Sequence, residues 1–323
     1  MKRVSIVICT YNGERYLPRQ LETLLGQTYP IYEIIAQDDG STDRSLSILQ
    51  SYSRRYPIIK VFRNTDERGR GVNSNFLSAI ARATGDYIAW SDQDDVWEPD
   101  KIASQVTLLE SEDCDCVTGF SRPFAEEGSV AHFDSRIPNI NLIRLMFCGC
   151  PGHTLLFRRT LMERLPYEHP IYHVSMCDVA IAIAAAAFDQ LRFCNKVLVN
   201  HRRHPSAATY TPDIPSASIF SGFHILWWSL RHYRRARFEA RRYFLARKLL
   251  LERLDSPLPI AREAHTIMQL EMQDGPLSYL KLTYHFVKNH SLLFYTHTNS
   301  FVEILRALLY PIMQLYNYRS RLR

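Results

Sequence analysis

No stretch of this chain holds the roughly 18–20 uninterrupted apolar residues that a membrane-spanning helix needs. Glycine is sparse, and none of the 12 glycines falls in a G-x-G-x-x-G or G-x-x-x-x-G-K-S/T pattern after a candidate strand. A dinucleotide-binding crossover and a P-loop are both disfavoured. There is no repeat and no low-complexity segment. The seven cysteines are odd in number and follow no export signal, so reduced thiols are expected. The pairs Cys114/Cys116 and Cys148/Cys150 are C-x-C, tighter than the C-x₂₋₄-C of structural zinc sites. Met1-Lys2-Arg3 is a basic start, but the apolar run behind it is too short for a signal peptide and has no small-residue cleavage site. That run reads as a first strand, and the expected location is the cytoplasm.

What is present is a core and a charge asymmetry. At 323 residues and 46% hydrophobic content there is ample material for one large or two ordinary domains. Residues 1–200 carry 21 Lys+Arg against 25 Asp+Glu, whereas residues 201–323 carry 18 against 8. An acidic, motif-rich front is thus joined to a basic, aromatic-rich back, with a boundary placed at 205.

The front alternates strand and helix patterns. Val4–Thr10 is a near-continuous apolar run, as in a strand covered on both faces. Glu14–Gln27 repeats Leu17, Leu21, Leu24 and Leu25 at helical spacing. Glu33–Ala36 and Ile58–Phe62 read as strands, with a helix between them capped by Ser41 or Thr42. Val72–Ala83 reads as a helix and Asp86–Ser91 as a fourth strand. This alternation predicts an α/β fold with a mostly parallel sheet, whose ligands bind beyond the carboxyl ends of the strands. Three loops open there: Cys9-Thr10-Tyr11-Asn12-Gly13, Asp38-Asp39-Gly40-Ser41 and Ser91–Asp95.

The third loop lies within W-S-D-Q-D-D-V-W, residues 90–97. Asp92, Asp94 and Asp95 repel one another unless a cation sits between them, and a hard divalent ion shared with a diphosphate fits such oxygen donors. If the strand continued, Asp92 and Asp94 would project to the same side. Taken alone, the cluster is equally compatible with a solvated acidic turn.

Together, V-S-I-V-I-C-T-Y-N-G-E (4–14), Q-D-D-G-S-T-D (37–43) and S-D-Q-D-D-V-W (91–97) resemble family 2 glycosyltransferases, in particular a bacterial rhamnosyltransferase-like branch. The resemblance covers residues 4–205. It implies a GT-A fold, a dTDP- or UDP-linked sugar donor, Mg²⁺ or Mn²⁺, and inversion at the anomeric carbon. By motif position it places Thr10, Tyr11, Glu14, Asp38 and Asp39 around the nucleoside, with Asp39 accepting from a pyrimidine N–H. It assigns Asp92 to ribose and metal-bound diphosphate, and Asp94 to the metal directly. Asp95, Trp97, Gly152 and His153 fall on the acceptor side, the last two within G-H-T-L-L-F-R-R (152–159). Asp178, opening an apolar run, is the implied base that takes the acceptor's proton. As Asp at a helix start, it is also a natural cap. Arg68, Arg70 and His204 are candidates to face the diphosphate, His204 and Arg202 lying within H-R-R-H-P (201–205). The chain departs from the family at Gly69-Arg70-Gly71, where relatives carry Asn-x-Gly, and at Cys177 and Ala180, where relatives carry His and Trp.

Beyond Pro205 the match fades. Arg231–Lys248 holds eight Arg/Lys against Glu239 alone, interleaved with aromatics. Phe301–Tyr316 is mostly apolar and is followed by Arg319, Arg321 and Arg323. Residues 218–250 and 301–323 therefore read as a peripheral surface for an anionic membrane. A cap packed on the catalytic domain is the competing reading, and nucleic-acid binding is disfavoured by the acidic front. The expected acceptor is a glycan on a polyprenyl diphosphate, part of a surface polysaccharide such as O-antigen. A nucleotidyltransferase and a degenerate, partner-binding domain are the rival functions.

Overall fold

The computed structural model describes residues 1–64, 71–126, 133–205, 207, 219–296 and 299–322. Its centre is an eight-stranded sheet in the order β3-β2-β1-β4-β7-β6-β8-β5. The strands are β1 (Val4–Thr10), β2 (Glu33–Asp38), β3 (Ile59–Arg63), β4 (Tyr87–Ser91), β5 (Val96–Trp97), β6 (Cys116–Phe124), β7 (Leu156–Arg158) and β8 (Leu191–Arg202). β1, β2, β3 and β4 are parallel neighbours, with Ile6 opposite Ile34 on one side and Ala89 on the other. β7 enters antiparallel between β4 and β6, and β5 closes antiparallel on β8. The mostly parallel α/β sheet expected from the alternating pattern is therefore present.

The uninterrupted apolar run of β1 has its cause in the layers. Val4, Ile6 and Ile8 face one core, shared with α1 (Leu17–Leu25), α2 (Ser45–Arg55) and α4 (Lys101–Ser111). Val7 faces the other core, shared with α3 (Gly71–Arg82), α5 (Leu142–Leu145) and α6 (Cys177–Ala187). Since side chains alternate across a strand, both registers must be apolar when both faces are covered.

α2 departs from the expected cap. It starts at Ser45 with no side-chain cap on its N-cap residue, Arg44. Ser41 is unavailable because its hydroxyl donates to the buried Asp38 carboxylate at 2.5 Å. Asp43 instead accepts from the Ser45 N–H at 2.9 Å.

The C-terminal helices are α7 (Ile219–Arg231), α8 (Tyr233–Leu254), α9 (Pro259–Glu271), α10 (Pro276–Lys288), α11 (His290–Leu293) and α12 (Ser300–Met313). They do not stand apart from the sheet. Phe244, Leu250, Ile267 and Phe286 belong to the same buried cluster as Trp90, Phe157 and the alanines of α6. Hydrogen bonds cross the seam: Arg247 to the Met146 carbonyl, Ser256 to the Ala187 carbonyl, and Asn141 to the Leu292 carbonyl at 2.7 Å. Among the described residues, no helix is long and apolar enough to cross a membrane.

Candidate active site

The site is built where β1, β2 and β4 end. Asp38 and Asp39 split their labour. Asp38, fully buried, accepts from the Thr10 hydroxyl at 3.0 Å, from Ser41, and from the N–H groups of Gly40 and Ser41 at 3.1 and 2.9 Å. Thr10 and Asp38 thus shape the loop between them, and neither carboxylate oxygen is left to turn outward. Gly40 sits at φ +84°, which only glycine adopts without strain, and it lets the chain reverse there. Asp39 lies at the rim of the loop. Its carboxylate accepts from Asn64 Nδ2 at 2.9 Å and from the Gly71 N–H at 3.0 Å.

The first loop is tied to the acidic one by Gln93. Its amide accepts from the Tyr11 N–H at 2.9 Å and donates to the Tyr11 carbonyl at 3.1 Å. The Tyr11 ring remains exposed. Glu14 is turned to Arg44, accepting from its N–H at 2.9 Å and its Nε at 3.1 Å.

β4 stops at Ser91, so the aspartates occupy a turn and do not alternate along a strand. The expected common projection of Asp92 and Asp94 gives way to two separate pairings. Asp94 Oδ2 lies 2.9 Å from His204 Nε2, whose ring packs on Tyr16. Asp92 accepts from Trp90 Nε1 at 3.2 Å and lies 3.3 Å from His153 Nδ1. Asp95, wholly buried, sits 3.4 Å from the same nitrogen and accepts from the Arg202 N–H at 3.1 Å. Ligand atoms of Asp92, Asp95 and His153 lie within 4.8 Å of one another.

Titration in this cluster is far from ordinary. Burial drives Asp95 up to about 7, with the Asp92 and Asp94 charges adding and His153 opposing. Burial also raises Asp94, helped by Asp92. At Asp92 burial is outweighed by the His153 hydrogen bond and charge, and the carboxyl is held low. His153, despite its own burial, is raised by the two carboxylates. His201, stacked on His153 at 4.9 Å, is pushed down to about 4 by burial and by that neighbour.

Asp178 opens the first turn of α6 on the far side of Gly152. A Cβ on Gly152 would come within 3.0 Å of both Asp178 Oδ2 and the Trp90 indole, so only glycine allows the approach. Asp178 is raised to about 7 by burial first, with the Asp92 charge adding. Asn73 of α3 holds this helix start. It accepts from the Cys177 N–H at 2.8 Å and donates to the carbonyls of Tyr172 and Ser175.

The structure therefore brings Asp39, Asp92, Asp94, Asp95, Gly152, His153, Asp178 and His204 to one edge of the sheet. Trp97 stands apart. It is buried among Leu21, Leu24 and Ile102, with the Lys101 ammonium 3.9 Å above its ring, and it supports the acidic loop from below. Arg68 and Arg70 lie outside the described residues. Three contributors were not expected: Gln93, Asn73 and Ser121, whose hydroxyl lies 2.7 Å from His153 Nε2. Gln93 is hidden inside a motif read for its carboxylates, and Asn73 lies 104 residues from the N–H it caps.

The donor set suits a divalent ion. Among the described residues, Asp95 Oδ2 is buried without a hydrogen-bond partner, and two carboxylates with one imidazole match Mn²⁺ or a similar first-row metal.

Comparison with known proteins identifies the fold and the family. A dTDP-rhamnosyl transferase of Shigella flexneri is 34% identical over 161 residues, covering 48% of this chain and 55% of that one. The curated relatives that lead the matches are covered over between 27% and 69% of their own length. Staphylococcus aureus TarS 1–349, solved with UDP-GlcNAc, superposes with a TM-score of 0.59 at 14% identity, covering 100% of this chain and 93% of that one. The Pyrobaculum calidifontis mannosyltransferase PcManGT, solved with GDP-Man and Mn²⁺, gives 0.52 at 17% identity, covering 99% and 87%. At such identities the likeness establishes the GT-A fold. The profile of glycosyl transferase family 2 matches residues 5–177, more than half of the sequence, and with the three loops closing on one edge the chain belongs to that family of glycosyltransferases.

Proposed function

We propose that this glycosyltransferase inverts the anomeric centre as it moves a sugar from a nucleotide diphosphate to a lipid-linked cell-surface glycan. The observation that carries the reading is the Gly152 contact. One backbone position without a side chain brings the Asp178 carboxylate up against the turn that holds His153 to Asp92 and Asp95.

In this reading Asp39 accepts from the nucleobase, and Tyr11 and Glu14 border the nucleoside. Asp92, Asp95 and His153 hold the metal, with Asp94 and His204 beside them at the diphosphate. A bound divalent ion offsets the negative charge that grows on the leaving diphosphate. Asp178 is the general base. A carboxyl titrating at about 7 is well matched to taking a proton from the acceptor hydroxyl near neutral pH. Asn73 fixes the helix start on which that carboxylate stands.

Thymidine or uridine diphosphate is the favoured donor carrier, in keeping with the names of the Shigella relative and the TarS complex. Rhamnose rests on the Shigella relative's name and the motif resemblance. The exposed apolar faces of α7 and α12 and the basic α8 support a peripheral seat at the inner face of a membrane.

Calorimetry with nucleoside diphosphates and diphospho-sugars, with and without Mn²⁺, tests the donor site. Micromolar, metal-dependent binding of one pyrimidine nucleotide is the expected result. Folded protein that binds none of them would overturn the reading.

A further inference from the structure

A cavity of about 920 Å³ lies in the helical region, between α7 and α12. Its volume sits within the roughly 300–1,000 Å³ of small-molecule sites. The wall is mostly apolar, with Phe223, Leu226, Leu305 and Leu309 among its side chains. It also holds three guanidinium groups, Arg136, Arg144 and Arg306. Arg136 is already neutralised by Asp134, which it meets at 2.6 Å. Arg144, half-buried, donates to the carbonyls of Leu293 and Phe294 at 3.2 and 2.6 Å, and Arg306 faces the Phe294 ring. Among the described residues, neither meets a carboxylate. Apolar walls with cations at the border select one kind of ligand, an amphiphile with a long apolar chain and an anionic head.

The surroundings agree. Phe223, Trp227 and Leu230 of α7, and Phe301, Leu305 and Leu308 of α12, recur at spacings of four and three and are exposed. These two ridges flank the cavity where a bilayer would lie. A short segment of chain links the cavity to the reaction site. Cys148 lines it, and the segment 149–152 runs from there along the start of α6: a Cβ on Gly149 would meet Val179 at 3.2 Å, and one on Gly152 would meet Asp178 at 3.0 Å.

We propose that this cavity seats the apolar chain of the acceptor, a long-chain lipid phosphate or diphosphate, with its head group at Arg144 and Arg306. The proposal rests on the transferase reading above. A second copy of the chain is disfavoured as the occupant, because it would bring two strongly basic surfaces together.

Equilibrium dialysis of the full chain with radiolabelled geranylgeranyl diphosphate tests it. Saturable binding is expected, weakened about tenfold or more by Leu305→Trp, which fills the cavity. Arg306→Gln, an exposed change that leaves packing intact, should weaken it about threefold. Thermal melting of each variant reports folding, and the Arg306 variant decides the matter if the tryptophan does not fold. Unchanged affinity in folded variants would overturn the proposal. So would binding only to vesicles of phosphatidylcholine and phosphatidylglycerol with none of the free probe, which would leave the face a bilayer contact. Nucleotide calorimetry is run in parallel: nucleotide binding without cavity binding sinks this proposal alone, whereas cavity binding without nucleotide binding sinks the donor-site reading and, with it, the assignment of the bound lipid as acceptor.

Discussion

The acidic edge of the sheet and the basic helical cap handle their side chains in opposite ways. At the edge, polar groups are buried and cross-linked, so that Asp38, Asp95 and His153 are almost inaccessible and held by neighbours from distant segments. In the cap, apolar groups are left outside: Phe223, Phe238, Leu277 and Phe301 are each about two-thirds exposed. Buried polar networks fix geometry, because a misplaced member loses its partners in a low-dielectric setting. Exposed apolar ridges fix nothing by themselves and await something to cover them. The first region is built for chemistry, the second for contact.

The sharpest test of this contrast is Asp178→Asn. It removes the proposed proton acceptor and keeps the shape, so turnover should fall about 10²–10⁴-fold. Nucleotide affinity in calorimetry should stay close to wild type. A small loss of turnover would show that another group takes the proton.

The cap has a buried polar network of its own, and disrupting it should be nearly as severe. Arg237 meets Glu271 at 3.0 Å and also holds the carbonyls of Glu271 and Gln273, while Gln314 donates to the same carboxylate. Arg237→Ala leaves the buried Glu271 carboxylate without its cation, held by Gln314 alone, and should cost about 3–5 kcal/mol in denaturant unfolding. A cost below about 1 kcal/mol would mean the pair is wet in solution.

Lys101 works in the opposite direction. It is fully buried beneath Trp97, hydrogen-bonded to Gln105 at 2.9 Å, and burial pushes it down to about 7. The unfolded chain binds this proton up to a pH of about 10.4, so stability is lost as pH falls from about 10 to about 7. Lys101→Met should therefore stabilise the protein by about 2 kcal/mol at pH 7, after the lost Gln105 bond is allowed for. The gain should shrink to nothing near pH 10 in paired thermal melts. A gain independent of pH would show that packing, not charge burial, is responsible.

The smallest expected effect separates contact from fold. Trp227→Ser on the exposed ridge should change stability by less than about 0.5 kcal/mol. Cosedimentation with phosphatidylglycerol vesicles should drop at the same time. Unaltered cosedimentation would remove this ridge from the proposed membrane face.

The two regions were also unequally legible in the sequence. Strand ends and their loops are local features, and the apolar run of β1, the Asp-Asp-Gly turn and the acidic octapeptide each announce themselves within ten residues. Their partners are not local. Asn73 reaches Cys177, and His153 meets Asp92 and Asp95, only once β7 has threaded antiparallel between β4 and β6. Trp97 carries the same motif as the carboxylates yet turns into the core, because the turn after β4 breaks the alternation. In the cap, helical periodicity marks apolar faces without saying which are covered. Phe244 and Phe286 are buried while Phe238 and Tyr284 are exposed, and packing against α6 and α9 decides the matter.

The first turn of α3 has a mechanical consequence. Gly71 donates its N–H to Asp39, and two residues later Asn73 grips the start of α6, which carries Asp178. The proposed nucleobase pocket and the proposed general base thus hang from a single lever. A nucleotide settling on Asp39 would steady that lever and stiffen the Asp178 carboxylate from the donor side before any acceptor arrives. Slower amide exchange at Cys177 upon nucleotide binding is the expected sign of this ordered readiness.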